Sequence, residues 1–163
     1  MQATKDSFYI TLRDRLVTVD PQRTITIDGA TRPAIVVAEN EPPNAAPPLC
    51  DAFYLHWGGA RAVLPSAGTL MEMECTISYR TKGTDQNGNL DRGRDLASLD
   101  NDVLAMWAPP QTEKFDYSSG SAVDLGSTVF WSQPVFSALV NAPPYIGREV
   151  SVSVFFYPEV NQT

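Results

Sequence analysis

An α+β fold, with two helices packed on a mixed, largely antiparallel β-sheet, is predicted for this chain of 163 residues. Two segments carry apolar residues at three- and four-residue spacing, the helical period, while several others alternate apolar and polar residues, the strand period. The strand segments come in runs between the helical ones, which favours α+β over a parallel α/β sheet. The length fits one domain, residues 1–163.

The first helix is predicted over residues 4–17, with Thr4 as N-cap and Pro21 as the stop. Its apolar line consists of Phe8, Leu12, Leu16 and Val19. Charged residues lie off that line, as expected for a helix that buries one face.

A β-hairpin is predicted next, because residues 23–28 alternate and end at Asp28-Gly29, a favoured two-residue turn. The β-branched run at 33–39 is the predicted partner strand. Residues 40–49 (NEPPNAAPPL) form a flexible proline-rich loop, either a plain connector or an extended arm lying on a neighbouring subunit.

The aromatic segment at 53–57 predicts a short strand that Gly58-Gly59 ends. Residues 70–80 are the clearest strand, with one apolar and one polar face. The apolar face consists of Met71, Met73, Cys75, Ile77 and Tyr79, and the polar face of Glu72, Glu74, Thr76, Ser78 and Arg80.

The second helix is predicted over residues 91–107, with Asp91 as N-cap and Pro109 after its end. Its apolar stripe is Leu96, Leu99, Val103 and Met106 or Trp107. A polar linker is predicted at 108–126.

Two more strands are predicted at the end of the chain. The first covers 128–139 and is interrupted by Pro134, which indicates an edge strand or a bulge. The second covers 148–157 and alternates throughout. Residues 158–163 are predicted to be a loose tail.

The charge balance is acidic, at −7 with a pI near 4.6. Such a chain has no general attraction for DNA or for anionic membranes. No apolar run approaches the ~20 residues of a membrane span, and the N-terminal residues lack a signal-peptide core, so synthesis in the cytoplasm is expected. Cys50 and Cys75 form no CxxC motif, and whether they meet in space is left open.

The sequence predicts no enzyme, no cofactor and no metal. The one histidine is His56, and the sequence contains no G-x-S-x-G motif whose serine it could activate. A site built from His56 and nearby carboxylates stays open. The carboxylates Asp95, Asp100 and Asp102 are those of a solvated helix face. Residues 85–91 contain part of a calcium loop but lack its closing glutamate, so a turn is favoured.

Five stretches together resemble the tail terminator proteins of long-tailed bacteriophages. They are the helix SFYITLRDRL, the strand RPAIVVAENE, the long strand MEMECTISYRTKG, the helix DRGRDLASLDNDVLAMW and the strand REVSVSVFFYPE. The resemblance implies a homohexameric ring that caps the tail tube, ends its polymerisation and joins the tail to the head-completion or connector protein. It also implies a place in the tail or neck of the virion, with DNA passing through the ring without specific binding.

Eight residues are candidates for assembly or lumen contacts. They are Glu72, Glu74 and Arg80 on the polar strand face, Arg92 and Arg94 at the start of the second helix, and the aromatics Tyr54, Trp57 and Trp131. Large aromatics near loops suit subunit contacts, although core packing is an equal alternative for them. Other readings are a different neck or baseplate protein, or a cellular small-ligand module with a cleft around FYLHWGGAR.

Overall fold

A computed structural model describes residues 1–40, 48–64, 69–84 and 91–159. The helices in these ranges are α1 (Gln2–Val19), α2 (Asp91–Trp107) and a 3-10 turn (Ala38–Asn40). The strands are β1 (Thr24–Ile27), β2 (Ala30–Pro33), β3 (Ile35–Val37), β4 (Phe53–Leu64), β5 (Leu70–Thr81), β6 (Gln111–Asp116), β7 (Val123–Trp131), β8 (Val135–Phe136), β9 (Val140–Ala142) and β10 (Tyr145–Phe156).

The main sheet has eight strands, and its central path runs β3-β4-β5-β10-β7-β6. β3 is parallel to β4, and the other pairs in this sheet are antiparallel. β5 occupies one side of β10 along its length, so β7, β8 and β9 share the other side. The predicted α+β class, with a mixed and largely antiparallel sheet, is confirmed.

The core lies between the two helices and one face of this sheet. α1 contributes Phe8, Leu12 and Leu16, which are fully buried, and α2 contributes the whole predicted stripe, with both Met106 and Trp107. The Phe8 ring meets the rings of Trp57, Trp107 and Trp131 edge-on, at centroid distances of 5.5, 6.3 and 5.1 Å. Edge-to-face geometry of this kind adds stability beyond the buried area.

Helix α1 is longer than predicted and begins differently. It begins at Gln2, and Thr4 is buried within it rather than capping it. Val19 is exposed, so the apolar line ends at Leu16. The helix stops one residue before Asp20, whose amide donates to the Leu16 carbonyl at 2.8 Å, and Pro21 follows as predicted.

The Asp28-Gly29 turn is confirmed, with φ values of 51° and 80° at its two residues. The partner strand was placed wrongly, since β2 follows the turn directly, as a two-residue loop requires. Residues 35–37 instead form β3, whose three residues are all buried. They pair in parallel with the start of β4, and the chain leaves strand geometry at the 3-10 turn.

The β4–β5 hairpin is also longer than predicted, because Gly58-Gly59 does not end β4. The register shifts between Trp57 and Ala60, which marks a bulge, and the strand continues to Leu64. A Cβ atom at Gly58 would lie 3.1 Å from the Glu74 Cβ, which explains the small residue there. The prediction for β5 is confirmed with one more residue at its end.

The predicted linker at 108–126 is wrong, because it contains β6 and the beginning of β7. Its polar composition concealed β6, whose Lys114 is completely buried. The Lys114 Nζ donates to the Tyr157 carbonyl at 2.7 Å and forms an ion pair with Glu159. A lysine can be buried when the fold supplies a carbonyl and a carboxylate for its ammonium group. The local sequence does not distinguish such a lysine from an exposed one.

The remaining predictions concern the end of the chain. The break at Pro134, between β7 and β8, is confirmed. β10 begins three residues earlier than predicted, at Tyr145. The tail is not loose at Glu159, which pairs with Lys114 and with the Met1 amino group at 3.3 Å.

Several predictions fall outside the described residues. They are most of the proline-rich loop (41–47), the calcium-loop candidate (85–90) and the last four residues of the tail (160–163). Neither α1 nor α2 combines the length and apolar character that a membrane span requires, which holds for the described ranges.

Candidate assembly surface

The face of the sheet that points away from the helices is polar, and we call it the open face. Glu72 lies on it and joins three strands. Its carboxylate accepts from the Ser153 hydroxyl of β10 at 2.6 Å and pairs with Arg61 of β4 at 2.8 Å. The Ser153 bond and then the Arg61 bond lower the pKa of Glu72. Glu72 is therefore ionised at neutral pH and fixed in place.

Glu74 lies two residues further along the same face and is exposed, without an ion pair to a described residue. It borders a hollow of about 200 Å³ lined by Gly59, Ala60, Arg61 and Glu72. Ligand sites usually enclose roughly 300–1,000 Å³ and are mostly apolar. This hollow, in the FYLHWGGAR region, is smaller, and Arg61, Glu72 and Glu74 place three charged groups around it.

His56 also projects from the open face, where its Nε2 lies 2.9 Å from the Ser78 hydroxyl. The group of three or more His, Cys, Asp or Glu side chains that a metal ion needs does not occur within the described ranges. Cys50 and Cys75 are both free thiols, and burial raises the pKa of Cys75.

Arg80 lies at the far end of the open face but is turned toward neighbouring groups. Its guanidinium stacks over the Tyr145 ring at 4.3 Å and donates to the Pro48 carbonyl. Gly147 is its partner on β10, and a Cβ atom there would lie 2.7 Å from the Tyr79 carbonyl oxygen. Arg80 is therefore partly exposed and joins the Pro48 backbone to the Tyr145 ring.

The three aromatic candidates do not lie on an exposed surface. Tyr54 and Trp131 are 3% and 4% exposed, and Trp57 is half-buried against the core. Tyr54 is on the open-face side of β4, but a small apolar cluster with Ile25 and Val36 covers it. Core packing, the alternative left open by the sequence, is what the structure shows for all three.

Arg92 and Arg94 lie at the start of α2, apart from Glu72 and Glu74. The Arg92 Nη1 reaches the Pro144 carbonyl at 3.4 Å, whereas Arg94 is exposed and forms no ion pair with a described residue. The carboxylate of Asp91 accepts from the Thr84 amide at 2.8 Å and from the Arg92 amide at 2.9 Å. The start of α2 therefore already has a negative charge beside it, the carboxylate of Asp91.

Two edges of the main sheet have no neighbouring strand within the described ranges. The first is the part of β4 beyond Leu55, where β3 no longer pairs with it. The second consists of β8 and β9, where Val135, Leu139 and Val140 are 67%, 48% and 54% exposed. Pro134, which predicted an edge strand or a bulge, is the signal in the sequence for the second of these edges.

The β6 edge of the sheet is different, because α1 covers it. The Ser7 hydroxyl accepts from the Phe115 amide at 2.9 Å, and Thr11 contacts Thr112 at 2.9 Å between hydroxyl oxygens. Side chains of the helix thus take the place of a neighbouring strand. Covering an edge in this way prevents strand addition there.

No family model matches this sequence, and a search of the curated proteins gives no match.

Proposed function

We propose that this chain is a structural assembly protein of the tail-terminator kind. It forms a hexameric ring on the last layer of tail-tube protein, ends polymerisation of the tube and provides the docking surface for the head-completion protein. It is made in the host cytoplasm and becomes part of the virion. The observation that carries the proposal is the broad sheet with helices on one face only.

The open face supports this function by its size and its charge. It spans three full-length neighbouring strands and carries the carboxylates Glu72, Glu74 and Glu149, against the guanidinium groups of Arg61 and Arg80. Six copies at −7 each give a ring of about −42 in formal charge. Such a ring repels phosphate, so that DNA passes without being held.

The deciding experiment measures the mass of the purified protein by light scattering, alone and with polymerising tail-tube protein. We expect either a ring of six chains, or single chains that assemble on tube ends and halt tube growth. Tube protein without this chain, and with an unrelated acidic protein of similar size, provides the controls. A protein that stays a single chain and leaves tube growth unchanged would contradict the proposal.

Electron microscopy of gold-labelled protein on tubes separates a terminator from another neck or baseplate protein. A terminator labels one end of each tube. A ring that forms but never labels tube ends would keep the assembly role and place the protein elsewhere in the particle.

A further inference from the structure

We propose that the two free sheet edges bind each other between copies of this chain, so that the β4 edge of one copy adds to the β8–β9 edge of the next. This inference rests on the proposed ring and names the surface that closes it. Contact between two different edges is heterologous, and heterologous contacts generate rings when the rotation closes.

The first edge is formed by residues 57–64 of β4. β3 pairs with β4 only through Leu55, and β5 occupies the other side. The side of β4 away from β5 therefore has no strand beside it for eight residues within the described ranges. Residues 58–63 are all exposed, with Val63 at 40%. Unpaired backbone donors and acceptors on such an edge are a template for another strand.

The second edge is formed by residues 135–142, which contain β8 and β9. These strands pair with β10 and have no described strand on their outer side. At the other end of β10 the neighbouring strands are β7 and then β6. α1 covers the outer side of β6 there. The second edge spans eight residues, five of them in β8 and β9, and the free part of β4 also spans eight.

The strand directions permit this pairing in a ring. β4 and β10 are both antiparallel to β5 and so run the same way, while β8 and β9 run opposite to β10. Rotation about a ring axis to which the strands are tilted by well under 90° keeps the up or down sense of each strand. The β4 strand of the next copy therefore meets β8 and β9 antiparallel, in the more stable kind of pairing.

The stagger between the two edges also fits a closed ring. Ala60 of β4 is level with Val154 of β10, whereas the second edge is level with Tyr145 to Ser151. The offset averages about six residues, or ~20 Å, over four strand spacings of ~4.8 Å. These values give a strand tilt of about 46°, close to the ~35–45° of closed sheets.

The side chains of the two edges are complementary. Val63 on the first edge and Val135 and Val140 on the second are all exposed apolar side chains. The Arg61 side chain is 76% exposed on the open face of the first edge. Glu149 lies on the same face beside the second edge and has no ion pair to a described residue. The contact thus covers apolar side chains that a single copy leaves in water.

The test uses two full-length variants, Val63→Cys and Val135→Cys, each carrying Cys50→Ser. They are mixed, with and without tail-tube ends, and treated with a flexible bifunctional maleimide. We expect a product at twice the chain mass of 17.9 kDa in the mixture, and none with either variant alone. The matched control mixes Val17→Cys with Leu104→Cys, which are exposed on the helices. This mixture should give no product.

Three results would overturn the inference. A product with Val63→Cys alone would mean that the β4 edges pair with themselves, as in a two-fold dimer. A mixture without product, while light scattering shows a ring, would mean that other surfaces close the ring, and the proposed function would survive. If no ring forms with or without tubes and tube growth is unchanged, the proposed function fails as well.

Discussion

The Glu159 side chain connects the end of the described chain to β6 and to the N-terminus. Its carboxylate lies between the buried Lys114 ammonium and the Met1 amino group, and it is 15% exposed. Burial alone would raise the pKa of Glu159, but the Lys114 hydrogen bond and charge hold it below its ordinary value of 4.5. A carboxylate with a lowered pKa stabilises the fold above its unfolded pKa, and this contribution is lost as pH falls through the folded value.

A Glu159→Gln variant should therefore be less stable than the wild type at pH 7, because Lys114 stays buried without its counter-charge. The difference should shrink as pH falls from about 4.5 through the lower folded pKa, since wild-type Glu159 becomes neutral there. Thermal unfolding followed by circular dichroism across this range measures it. Glu74→Gln, at an exposed site without an ion pair, is the control. A difference that stays constant into acid would contradict the role of this pair.

Gly147 is required by a close approach of two strands. A Cβ atom there would lie 2.7 Å from the Tyr79 carbonyl oxygen and 3.1 Å from the Arg80 Cβ. Gly147→Ala should cost about 1–3 kcal/mol, the usual range for overpacking, because the backbone must shift. Gly59→Ala is the matched control, since a Cβ atom there meets nothing within 4 Å. Urea denaturation measures both, and equal effects would refute the steric explanation.

Among the elements, helix α2 depends on one side chain from α1 for its C-terminal end. The Arg15 guanidinium donates to the carbonyls of Met106 and Trp107 at 3.2 Å each and of Pro109 at 2.7 Å. It also lies 5.4 Å from the Trp131 ring centroid. The last carbonyls of a helix lack partners within it, so this guanidinium completes α2 and ties it to α1.

Arg15→Ala should destabilise the protein by about 2 kcal/mol or more, the scale for charge-assisted hydrogen bonds to partly buried groups. Arg15→Lys should recover only part of this loss, because an ammonium cannot span three carbonyls in a fixed fork. Arg13→Ala is the control, since Arg13 pairs only with its neighbour Asp14 and should change stability by less than ~0.5 kcal/mol. Arg15→Ala and Arg13→Ala with the same unfolding midpoint would contradict the capping role.

The elements predicted well from sequence are long and periodic. α2 matched over all of 91–107, and β5 and β10 alternate strongly enough to define their faces. β6 was missed because its buried residue is Lys114, whose partners come from 43 and 45 positions away along the chain. Glycines that seemed to end β4 form a bulge within it. Local patterns cannot show which polar residue or glycine a distant strand will accommodate.

The same limit applies to the candidate surface. Alternation placed Glu72 and Glu74 correctly on one face of β5. It could not say whether Trp57 and Trp131 meet solvent or helices, because that depends on which face of the assembled sheet the helices cover. The free edges depend on strand order, which the sequence pattern does not contain.

At the scale of the whole molecule, the proposed ring leaves two arrangements, because either sheet face could line its lumen. Edge-to-edge joining about an axis along the strands turns the same face of every copy inward. If the open face is inward, Glu74 and Glu149 meet the DNA that passes. If the helices are inward, the exposed charges of α1 and α2 meet it instead.

Charge reversal distinguishes these arrangements. Glu74→Lys with Glu149→Lys changes the open face by +4 per copy, or about +24 over six copies. Both side chains are exposed, so the fold should be kept. Because Glu149 lies beside the proposed contact with Arg61 of the next copy, light scattering first checks that the variant still forms the ring. We expect the variant ring to retain double-stranded DNA at low salt and release it steeply as salt rises, whereas the wild type does not bind. Fluorescence anisotropy of labelled DNA over a salt series measures this.

The control is Asp14→Lys with Asp95→Lys, which makes the same charge change on α1 and α2. Any positively charged surface attracts DNA to some degree, so the two rings are compared by the length of DNA protected from nuclease. A ring threaded by DNA protects a segment as long as its lumen, because the duplex is enclosed on all sides, whereas outside contact leaves one side of the duplex open to cleavage. Protection by the open-face variant alone places Glu74 and Glu149 in the lumen. Protection by the helix-face variant alone would mean that the helices line the ring.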